Sequence, residues 1–462
     1  MKNLILLTSA ILFSTLFYRQ GIGLNLSLFT LLTIIVLVIN NKTIIKTKIY
    51  IIKIFAYFIT GVVVFLYKSD LTIIANIIAF FTLIGSISEL KSSIYIKFMN
   101  GIYTTIVAAF SLYFDKQTTE IQTVKKNKIN YVYWLKIIGI PALFLIIFIS
   151  LYRNGNPKFN ELILKIDFSF INLQWILFTG LGYYLFYNIT NPITIDPATS
   201  LDLNTGNYLN KNEIKHLSPK KIKEENKLGI VLLYLLNALI ILFLITDVLY
   251  LSELYQMTAP ELSKQVHTGV NALIFSNLLA IAIILYFFRG NLNFYDKNKG
   301  IKNASFLWIF LNLTVILITA IKNMEYINSF GFTYKRIGVL FFLMATSLGL
   351  MSTYFKVQKT KNLWYLFRKN TQIAFAVLIL SSTLNWDKFI TYYNINYAEQ
   401  LDLKYLINLS DNNTFLLKGY AEKGNLNNND KFDIDVRHNN YIRKLRDNSW
   451  QEMVFDNVKI TE

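Results

Sequence analysis

Cysteine is absent from this sequence of 462 residues, and histidine occurs only three times. Without cysteine the chain forms no disulfides, thiolate metal sites or iron–sulfur clusters. The histidines, His216, His267 and His438, lie in or beside predicted loops, so a histidine-ligated haem or metal within the apolar segments is not expected. We therefore expect no cofactor and no bound metal.

Charged residues are also few, at 16% of the sequence, whereas hydrophobic residues make up 54%. Soluble domains contain about 25% charged residues. Because the apolar residues fall in long runs, the composition indicates a membrane protein rather than a large soluble enzyme. The formal net charge of +18 lies mainly in the loops between those runs, so nucleic acid is not an expected partner.

The long apolar runs define the predicted architecture. A membrane-spanning helix needs about 20 predominantly apolar residues. By that criterion the sequence predicts an all-α fold, a polytopic helical membrane bundle of about twelve spans (range about 10–13) over residues 1–384. The spans lie near 3–18, 22–40, 49–67, 71–88, 95–114, 131–152, 170–188, 228–251, 269–288, 303–323, 337–356 and 370–384. The more polar residues 385–462 are predicted to form a small soluble C-terminal module.

The distribution of Lys and Arg over the loops predicts the orientation. Loops after odd-numbered spans, including the one with Lys68, hold most of these residues and are assigned to the cytoplasm. Both termini and the turn with Lys335 and Arg336 then face the periplasm of a bacterial inner membrane. The cluster from Lys42 to Lys48 also faces outward in this assignment, against the rule. If one early helix is re-entrant, the N-terminus lies inside and the conflict disappears.

Lipid is the first expected partner. The basic run from Lys220 to Lys227 suits anionic lipid headgroups, because clustered lysines beside a span are attracted to the negative surface of a membrane. An ordinary cytoplasmic loop explains the same residues.

The C-terminal tail is predicted to be partly helical, with helices near Trp386–Tyr397, Glu399–Leu409 and Asn412–Glu422. Ser410 or Asp411 can cap the third of these helices. After an Asn-rich linker, Phe432, Ile434 and Val436 alternate with aspartates, which predicts a short strand. This module also offers a surface for a protein partner.

Catalytic motifs are missing. The sequence contains no P-loop, no HExxH, no GxSxG and no paired carboxylates within a span. These patterns mark the common nucleotide-dependent, metal-dependent and serine-dependent enzymes. We therefore expect a non-enzymatic protein.

Asp247 is the ionisable residue that most needs an explanation. It lies about one or two turns from the end of an apolar span, where an aspartate requires a partner or stays protonated because a buried charge is costly. Lys322 and Glu325, near the end of the tenth span, lie at a similar predicted depth. We hypothesise an Asp247–Lys322 pair from that depth alone.

Several amide side chains also lie well inside predicted spans: Asn76, Asn237, Asn277 and Asn312. Amides in lipid form hydrogen bonds between helices that are worth roughly 0.6–2 kcal/mol each. They therefore serve either as contacts that hold the bundle together or, with Asp247, as the lining of a substrate path.

Several stretches resemble a bacterial integral-membrane family known as a domain of unknown function, of the 4153/4173 type. They are LFYRQGIGLN from Leu16 to Asn25, TAPELSK from Thr258 to Lys264, YINSFGFTYKR from Tyr326 to Arg336, and the run from Asn385 to Ser410. The third is similar to the family's Tyr…Gly-x-Thr-x-x-Arg signature between two late helices. The resemblance covers most of the chain and implies a membrane topology, without an activity.

The signature turn also has a physical interpretation. Gly331 permits a positive φ in a short turn, and Thr333 can cap the following helix. Arg336 lies in the first turn of that helix, where a cation opposes the helix dipole. We therefore expect Arg336 to have a specific anionic partner: a lipid phosphate, Glu325 or the acidic tail.

Two functions are consistent with these features. The first is a non-enzymatic inner-membrane protein that acts as a scaffold, assembly or signalling partner through its loops and its tail. The alternative is a permease for a small solute or lipid, with Asp247 and the buried amides lining the path. A polar cavity that reaches the middle of the membrane beside Asp247 would favour the permease.

Overall fold

The computed structural model describes residues 2–107, 131–165, 172–214, 217–251, 259–424 and 426–460. Within these ranges the regular elements are helices, and the β-type pairing is an isolated bridge between Tyr208 and Lys361. The predicted all-α class is therefore confirmed for the described part of the chain. The predicted span 95–114 lies partly outside it.

The helices are numbered in chain order. They are α1 (Lys2–Phe17), α2 (Leu24–Asn40), α3 (Lys48–Leu66), α4 (Asp70–Ser88), α5 (Ile94–Ile102), α6 (Tyr131–Gly155), α7 (Pro157–Lys165), α8 (Leu173–Thr190), α9 (Asp196–Asn204), α10 (Pro219–Leu251), α11 (Ala259–Phe287), α12 (Lys299–Phe330), α13 (Tyr334–Gln358), α14 (Leu363–Ser382), α15 (Trp386–Tyr397), α16 (Leu403–Ile407), α17 (Thr414–Lys423), α18 (Asn428–Asp447) and α19 (Phe455–Lys459).

The chain divides into two compact units, and the smaller one comprises Met1–Arg19 and Thr105–Asn191. In this unit α1 packs along α8. The hydroxyl groups of Ser14 and Thr179 share a hydrogen bond of 2.8 Å. Gly182 allows the close approach, because a Cβ there would lie 2.8 Å from the ring of Phe13.

The second unit, Gln20–Thr104 with Pro192–Glu462, begins with three antiparallel helices, α2 to α4. Ser69 and Thr72 form a capping box at the start of α4, each side chain accepting a hydrogen bond from the other's backbone N–H. Asn76, one of the predicted buried amides, donates to the hydroxyls of Thr30 on α2 at 3.1 Å and of Thr60 on α3 at 3.2 Å. It joins three helices, as expected of an amide in an apolar bundle.

Four longer helices, α10 to α13, form the main core of this unit. Leu233, Ile284, Trp308 and Leu350 contribute one buried side chain from each helix. The outward faces keep large exposed hydrophobic residues, such as Leu235 and Phe310. This distribution is typical of helices whose outer surface contacts lipid.

Five described helices are long and apolar enough to cross a membrane: α3, α4, α10, α12 and α13. A sixth candidate is the pair α14 and α15, which is bent by 64° between Ser382 and Trp386. Shorter apolar helices occur at Asn3–Phe17, Leu24–Asn40, Gly139–Gly155 and Leu273–Phe287. Several long apolar helices are compatible with a membrane-embedded protein, whereas the count of twelve spans stays a prediction.

The helices after the bend pack on the ends of α12 and α13. Ile390, Leu406 and Ile434 form one buried cluster with Ile327 and Phe332. Within the described residues the tail therefore shares a core with α12 and α13 of the same unit. Its separation at residue 385 as a soluble module stays a prediction.

The predicted strand at Phe432–Val436 is wrong, because these residues lie within α18. Asn427 caps this helix by accepting a hydrogen bond from the N–H of Asp430 at 2.7 Å. Only Ile434 of the alternating residues is buried; Phe432 is 67% exposed and Val436 is 41% exposed. The short alternation therefore did not mark a sheet face, and the helical spacing of Ile434, Tyr441 and Leu445 determines which side is buried.

Hydrogen bonds group the loops of the second unit at the two opposite ends of its helices. At one end, Asn412 donates to the carbonyl oxygen of Lys68 at 3.0 Å, and Lys68 and Lys335 line the same cavity. At the other end, Asp202 accepts from the N–H of Ser93 and pairs with Arg368. The loop count assigned Lys68 and Lys335 to opposite sides of the membrane. In the structure they share one end.

This correction also changes the position of the early lysine cluster. Because α3 is antiparallel to α4, Lys48 at the start of α3 lies at the end opposite to Lys68. That is the end that carries Arg368. The early lysines thus lie at the same end as Arg368, and the side of the membrane that this end faces stays a prediction.

Candidate ligand cavity

The turn between α12 and α13 holds the signature residues of the sequence. Gly331 adopts φ +75° and ends α12, with its N–H donating to the carbonyl oxygen of Ile327 at 2.7 Å. Thr333 caps α13, and its hydroxyl accepts from the N–H of Arg336 at 3.3 Å. The roles predicted for Gly331 and Thr333 in the backbone are both present.

Arg336 binds the end of the preceding helix. Its Nη1 donates to the carbonyl oxygen of Phe330 at 2.7 Å and to that of Gly331, and its guanidinium lies 3.7 Å from the ring centroid of Tyr326. The C-terminal end of a helix carries partial negative charge, which attracts a cation. The sequence predicted an anionic partner for Arg336. In the structure its partners are these carbonyl oxygens at the C-terminus of α12.

Asn394 on α15 holds the same turn from the other side. Its side chain accepts from the N–H of Phe332 at 2.6 Å and donates to the carbonyl oxygen of Phe332 at 2.9 Å. A Cβ at Gly331 would lie 2.4 Å from Asn394 Oδ1. Sequence reasoning missed Asn394, because nothing local distinguishes it from the other asparagines of the tail.

A cavity of about 1360 Å³ lies beside this turn, and we call it the polar cavity. Its wall is formed by the turns at 67–71, 333–336, 384–387 and 408–412, together with residues of α18 between 440 and 448. Tyr326, Thr333 and Arg336 of the signature contribute directly. The polar cavity is therefore built at the ends of helices, where backbone and side-chain polar groups are both available.

Asp387 organises one wall of the polar cavity. It is 2% exposed and accepts hydrogen bonds from the Tyr334 hydroxyl at 2.7 Å and from the Ser410 hydroxyl. It lies in the first turn of α15, where the helix dipole favours a negative charge. The Tyr405 hydroxyl accepts from the N–H of Tyr334 at 2.9 Å, and burial raises the pKa of Tyr405. This wall is held by its own hydrogen bonds.

Cations and carboxylates without ion pairs face the remainder of the cavity. Within the described residues, Lys68, Lys335 and Arg443 form no ion pair with a carboxylate. Partial removal from water lowers the pKa of Lys68, the nearby Lys444 lowers it further, and Glu452 and Asp70 oppose the shift. The Glu452 carboxylate accepts a hydrogen bond from the N–H of Gly21, whereas Asp70 forms no ion pair among the described residues. Both signs of charge are therefore available to a ligand.

The chain matches Domain of unknown function (DUF4153) over residues 4–418. It belongs to this family. No curated protein and no solved structure matches the chain.

The family match covers only part of the polar cavity. It includes the signature turn and the buried Asp387, and it ends within α17. Arg443 and Lys444 on α18 lie beyond it. Arg437, also beyond it, fixes the loop before α17 by donating to the carbonyl oxygens of Leu406 at 3.1 Å and Leu409 at 3.0 Å.

Asp247 and Lys322 are brought together elsewhere in the family region. Lys322 Nζ forms an ion pair with Asp247 Oδ1 between α10 and α12, and the two side chains are 15% and 13% exposed. Glu325 lies half-buried one turn further along α12. None of the three belongs to the lining of the polar cavity.

The predicted amides are buried at separate positions of the bundle. Asn237 donates to the carbonyl oxygen of Ala304 at 3.0 Å and so joins α10 to α12. Asn277 and Asn312 donate within their own helices to the residue four positions earlier, at 2.9 Å and 2.8 Å. Asn237 thus forms the contact between helices that was predicted, whereas the donor groups of the other two are used locally.

Proposed function

We propose that this chain is a non-enzymatic multi-pass protein of a bacterial inner membrane that binds a charged, polar ligand in the polar cavity. One observation carries the proposal: Lys68, Lys335 and Arg443 face a cavity of about 1360 Å³ without an ion pair among the described residues. All three side chains are exposed, and an anion in the cavity can form charge-assisted hydrogen bonds with them. Asp70, which also lines the polar cavity, suits an ammonium group of that ligand.

The ligand class follows from these charges. A phosphate ester is a strong acceptor for arginine and lysine. An amine on the same small molecule can contact the Asp70 carboxylate. A zwitterionic phosphate ester such as O-phosphoethanolamine is therefore the simplest soluble probe.

Calorimetric titration of the purified protein in maltoside micelles tests the proposal. Wild-type protein is expected to bind O-phosphoethanolamine saturably, and Lys335→Ala with Arg443→Ala to weaken binding about tenfold or more. Arg446→Ala with Lys388→Ala is the matched control, because both side chains are exposed and neither lines the polar cavity. Absence of saturable binding to the wild type overturns the proposal, as does an equal loss in the control variant.

The proposed orientation places the polar cavity in the periplasm. The opposite end carries Lys48, Lys91 and Arg368, which suits the cytoplasmic side under the positive-inside rule. The exposed Lys220, Lys221 and Lys223 at the start of α10 then face anionic headgroups of the cytoplasmic leaflet. A cysteine introduced at Arg443 should react with a membrane-impermeant maleimide in intact spheroplasts, whereas one at Lys223 should react only after lysis.

A second candidate function, a scaffold or assembly partner, is favoured by one surface of the tail. Phe432 and Val436 lie one turn apart on α18 and are 67% and 41% exposed. Such a pair suits the groove of a partner protein. A photo-crosslinking residue at position 432 should yield a discrete adduct in native membranes that position 431 does not, and equal labelling from both would argue against a partner.

A further inference from the structure

A second cavity of about 670 Å³ adjoins the polar cavity and has a different character. It is a groove between α13 and α14, which we call the apolar groove. Its lining is mostly aliphatic and aromatic. Two of its polar side chains already form hydrogen bonds: Asn370 accepts from the Ser352 hydroxyl at 2.9 Å, and the Ser381 hydroxyl donates to the carbonyl oxygen of Leu378 at 3.0 Å.

The two cavities share part of their lining. Leu71, Tyr334 and Trp386 line both of them. The indole N–H of Trp386 donates to the carbonyl oxygen of Ser381 at 2.9 Å, at the bend between α14 and α15. Tryptophan and tyrosine favour the boundary between the headgroups and the hydrocarbon of a membrane. The junction therefore marks the depth at which a polar site changes to an apolar one.

The length of the apolar groove fits the membrane. It follows one face of α13 from Tyr334 to Gly349, which is about 22 Å at 1.5 Å per residue. The hydrocarbon of one leaflet is about 15 Å thick. A chain that enters at Trp386 can thus remain in the groove through the whole leaflet.

Small residues keep the apolar groove open. Gly338, Ala345 and Gly349 on α13 and Ala374 on α14 line it. A Cβ added at Gly338 or at Gly349 would meet nothing within 4 Å. The space beside these positions can therefore hold atoms of another molecule.

We infer that the ligand is a phospholipid with a phosphate and an amine in its headgroup, whose headgroup occupies the polar cavity and one of whose acyl chains occupies the apolar groove. This inference rests on the proposed function and specifies its ligand. Charge complementarity selects the headgroup, since Lys335 and Arg443 suit the phosphate and Asp70 suits the amine. The apolar groove that adjoins the polar cavity at Tyr334 and Trp386 distinguishes a lipid from a free phosphate ester, which needs no groove.

The experiment compares a soluble headgroup with an intact lipid. O-phosphoethanolamine and long-chain phosphatidylethanolamine in mixed maltoside micelles are titrated against wild-type protein and against the double variant Gly338→Phe with Gly349→Phe. We expect the lipid to bind the wild type about tenfold more tightly than the soluble headgroup. The double variant should lose that advantage and keep its affinity for O-phosphoethanolamine.

Gly180→Phe is the matched control. Gly180 is an exposed helical glycine on α8 whose Cβ would also meet nothing within 4 Å, and it lies outside the groove. If the soluble headgroup binds as tightly as the lipid, or if Gly180→Phe reduces lipid binding as much as the groove variant, the inference fails and the proposed function stands. If neither molecule binds the wild type, both fail.

Discussion

The side chain of Asn394 satisfies both backbone polar groups of Phe332, accepting from its N–H at 2.6 Å and donating to its carbonyl oxygen at 2.9 Å. The amide thus pairs with the backbone of Phe332 as a neighbouring strand would in a sheet, and this pairing holds the α12–α13 turn. Because Asn394 belongs to α15, the tail and the signature turn are held in one arrangement. The wall of the polar cavity depends on that arrangement.

Asn394→Ala should therefore destabilise the protein more than an ordinary surface change. It leaves the N–H and the carbonyl group of Phe332 unpaired in a buried position, which costs about 1–3 kcal/mol for each group left unsatisfied. Thermal unfolding in detergent measures the effect. Asn396→Ala is the control, because Asn396 is exposed and its hydrogen bond among the described residues stays within its helix, to the carbonyl oxygen of Tyr392. Equal melting temperatures of the two variants would contradict the role given to Asn394.

Gly331→Ala should also be destabilising, and its effect should depend on Asn394. The added Cβ meets Asn394 Oδ1 at 2.4 Å, and the φ of +75° is unfavourable for alanine by about 1 kcal/mol or more. In the double variant with Asn394→Ala the collision is absent, so the two losses should not add. A double-mutant cycle of unfolding free energies measures the difference, and strict additivity would refute the contact.

Arg336→Ala should lower stability in detergent more than Lys335→Ala. Arg336 donates to two helix-terminal carbonyl oxygens and lies on the Tyr326 ring, and hydrogen bonds from a charged donor contribute about 1.5–3 kcal/mol. Lys335 is exposed and forms no ion pair with a described carboxylate. Melting temperatures of the two single variants decide the matter. A larger loss for Lys335→Ala would mean that the carbonyl contacts of Arg336 contribute little.

The features that the sequence predicted depend on neighbouring residues or on spacing along the chain. Apolar runs located the helices, and the Gly331 and Thr333 spacing identified a helix end and a cap within three residues. The sequence does not distinguish three asparagines of the tail. Asn385 caps α15, Asn394 forms hydrogen bonds to Phe332 in a distant turn, and Asn396 is exposed. Their difference arises from contacts across more than sixty positions, such as that between Phe332 and Asn394.

The polar cavity and the sidedness of the early helices were beyond sequence reasoning for the same reason. Lys68 and Lys335 share a wall because α15 to α18 fold back over the ends of α3 and α12, which no loop count can reveal. The Asp247–Lys322 pair was the exception. Both residues lie at similar depth on long helices, and a costly charge in an apolar span restricts its partners to that depth.

Replacing one residue of the Asp247–Lys322 pair should destabilise the protein more than replacing both. Asp247→Leu leaves the Lys322 ammonium largely buried without its carboxylate, and the loss of one partner of a buried pair is destabilising by up to about 3–5 kcal/mol. Replacing both residues by leucine removes both charges and should recover much of that loss. Unfolding temperatures of Asp247→Leu, Lys322→Leu and the double variant test this order. A double variant less stable than either single one would show that the pair itself is strongly stabilising.

The pair of Asp202 and Arg368 should make stability depend on pH in the acid range. Burial acts to raise the pKa of Asp202, but the N–H of Ser93 at 2.7 Å and the Arg368 guanidinium at 3.0 Å outweigh it and hold the pKa below its ordinary value. A carboxyl group whose pKa is lower in the folded state stabilises the protein above its unfolded pKa, about 3.9, and this contribution is lost as the pH falls through the folded pKa. Wild-type protein should therefore exceed Asp202→Asn in melting temperature at pH 7, and the difference should shrink progressively below about pH 4. Asp196→Asn is the matched control on the same helix, since Asp196 is exposed and forms no ion pair among the described residues. A difference between wild type and Asp202→Asn that stays constant from pH 7 down to pH 3 would contradict the lowered pKa.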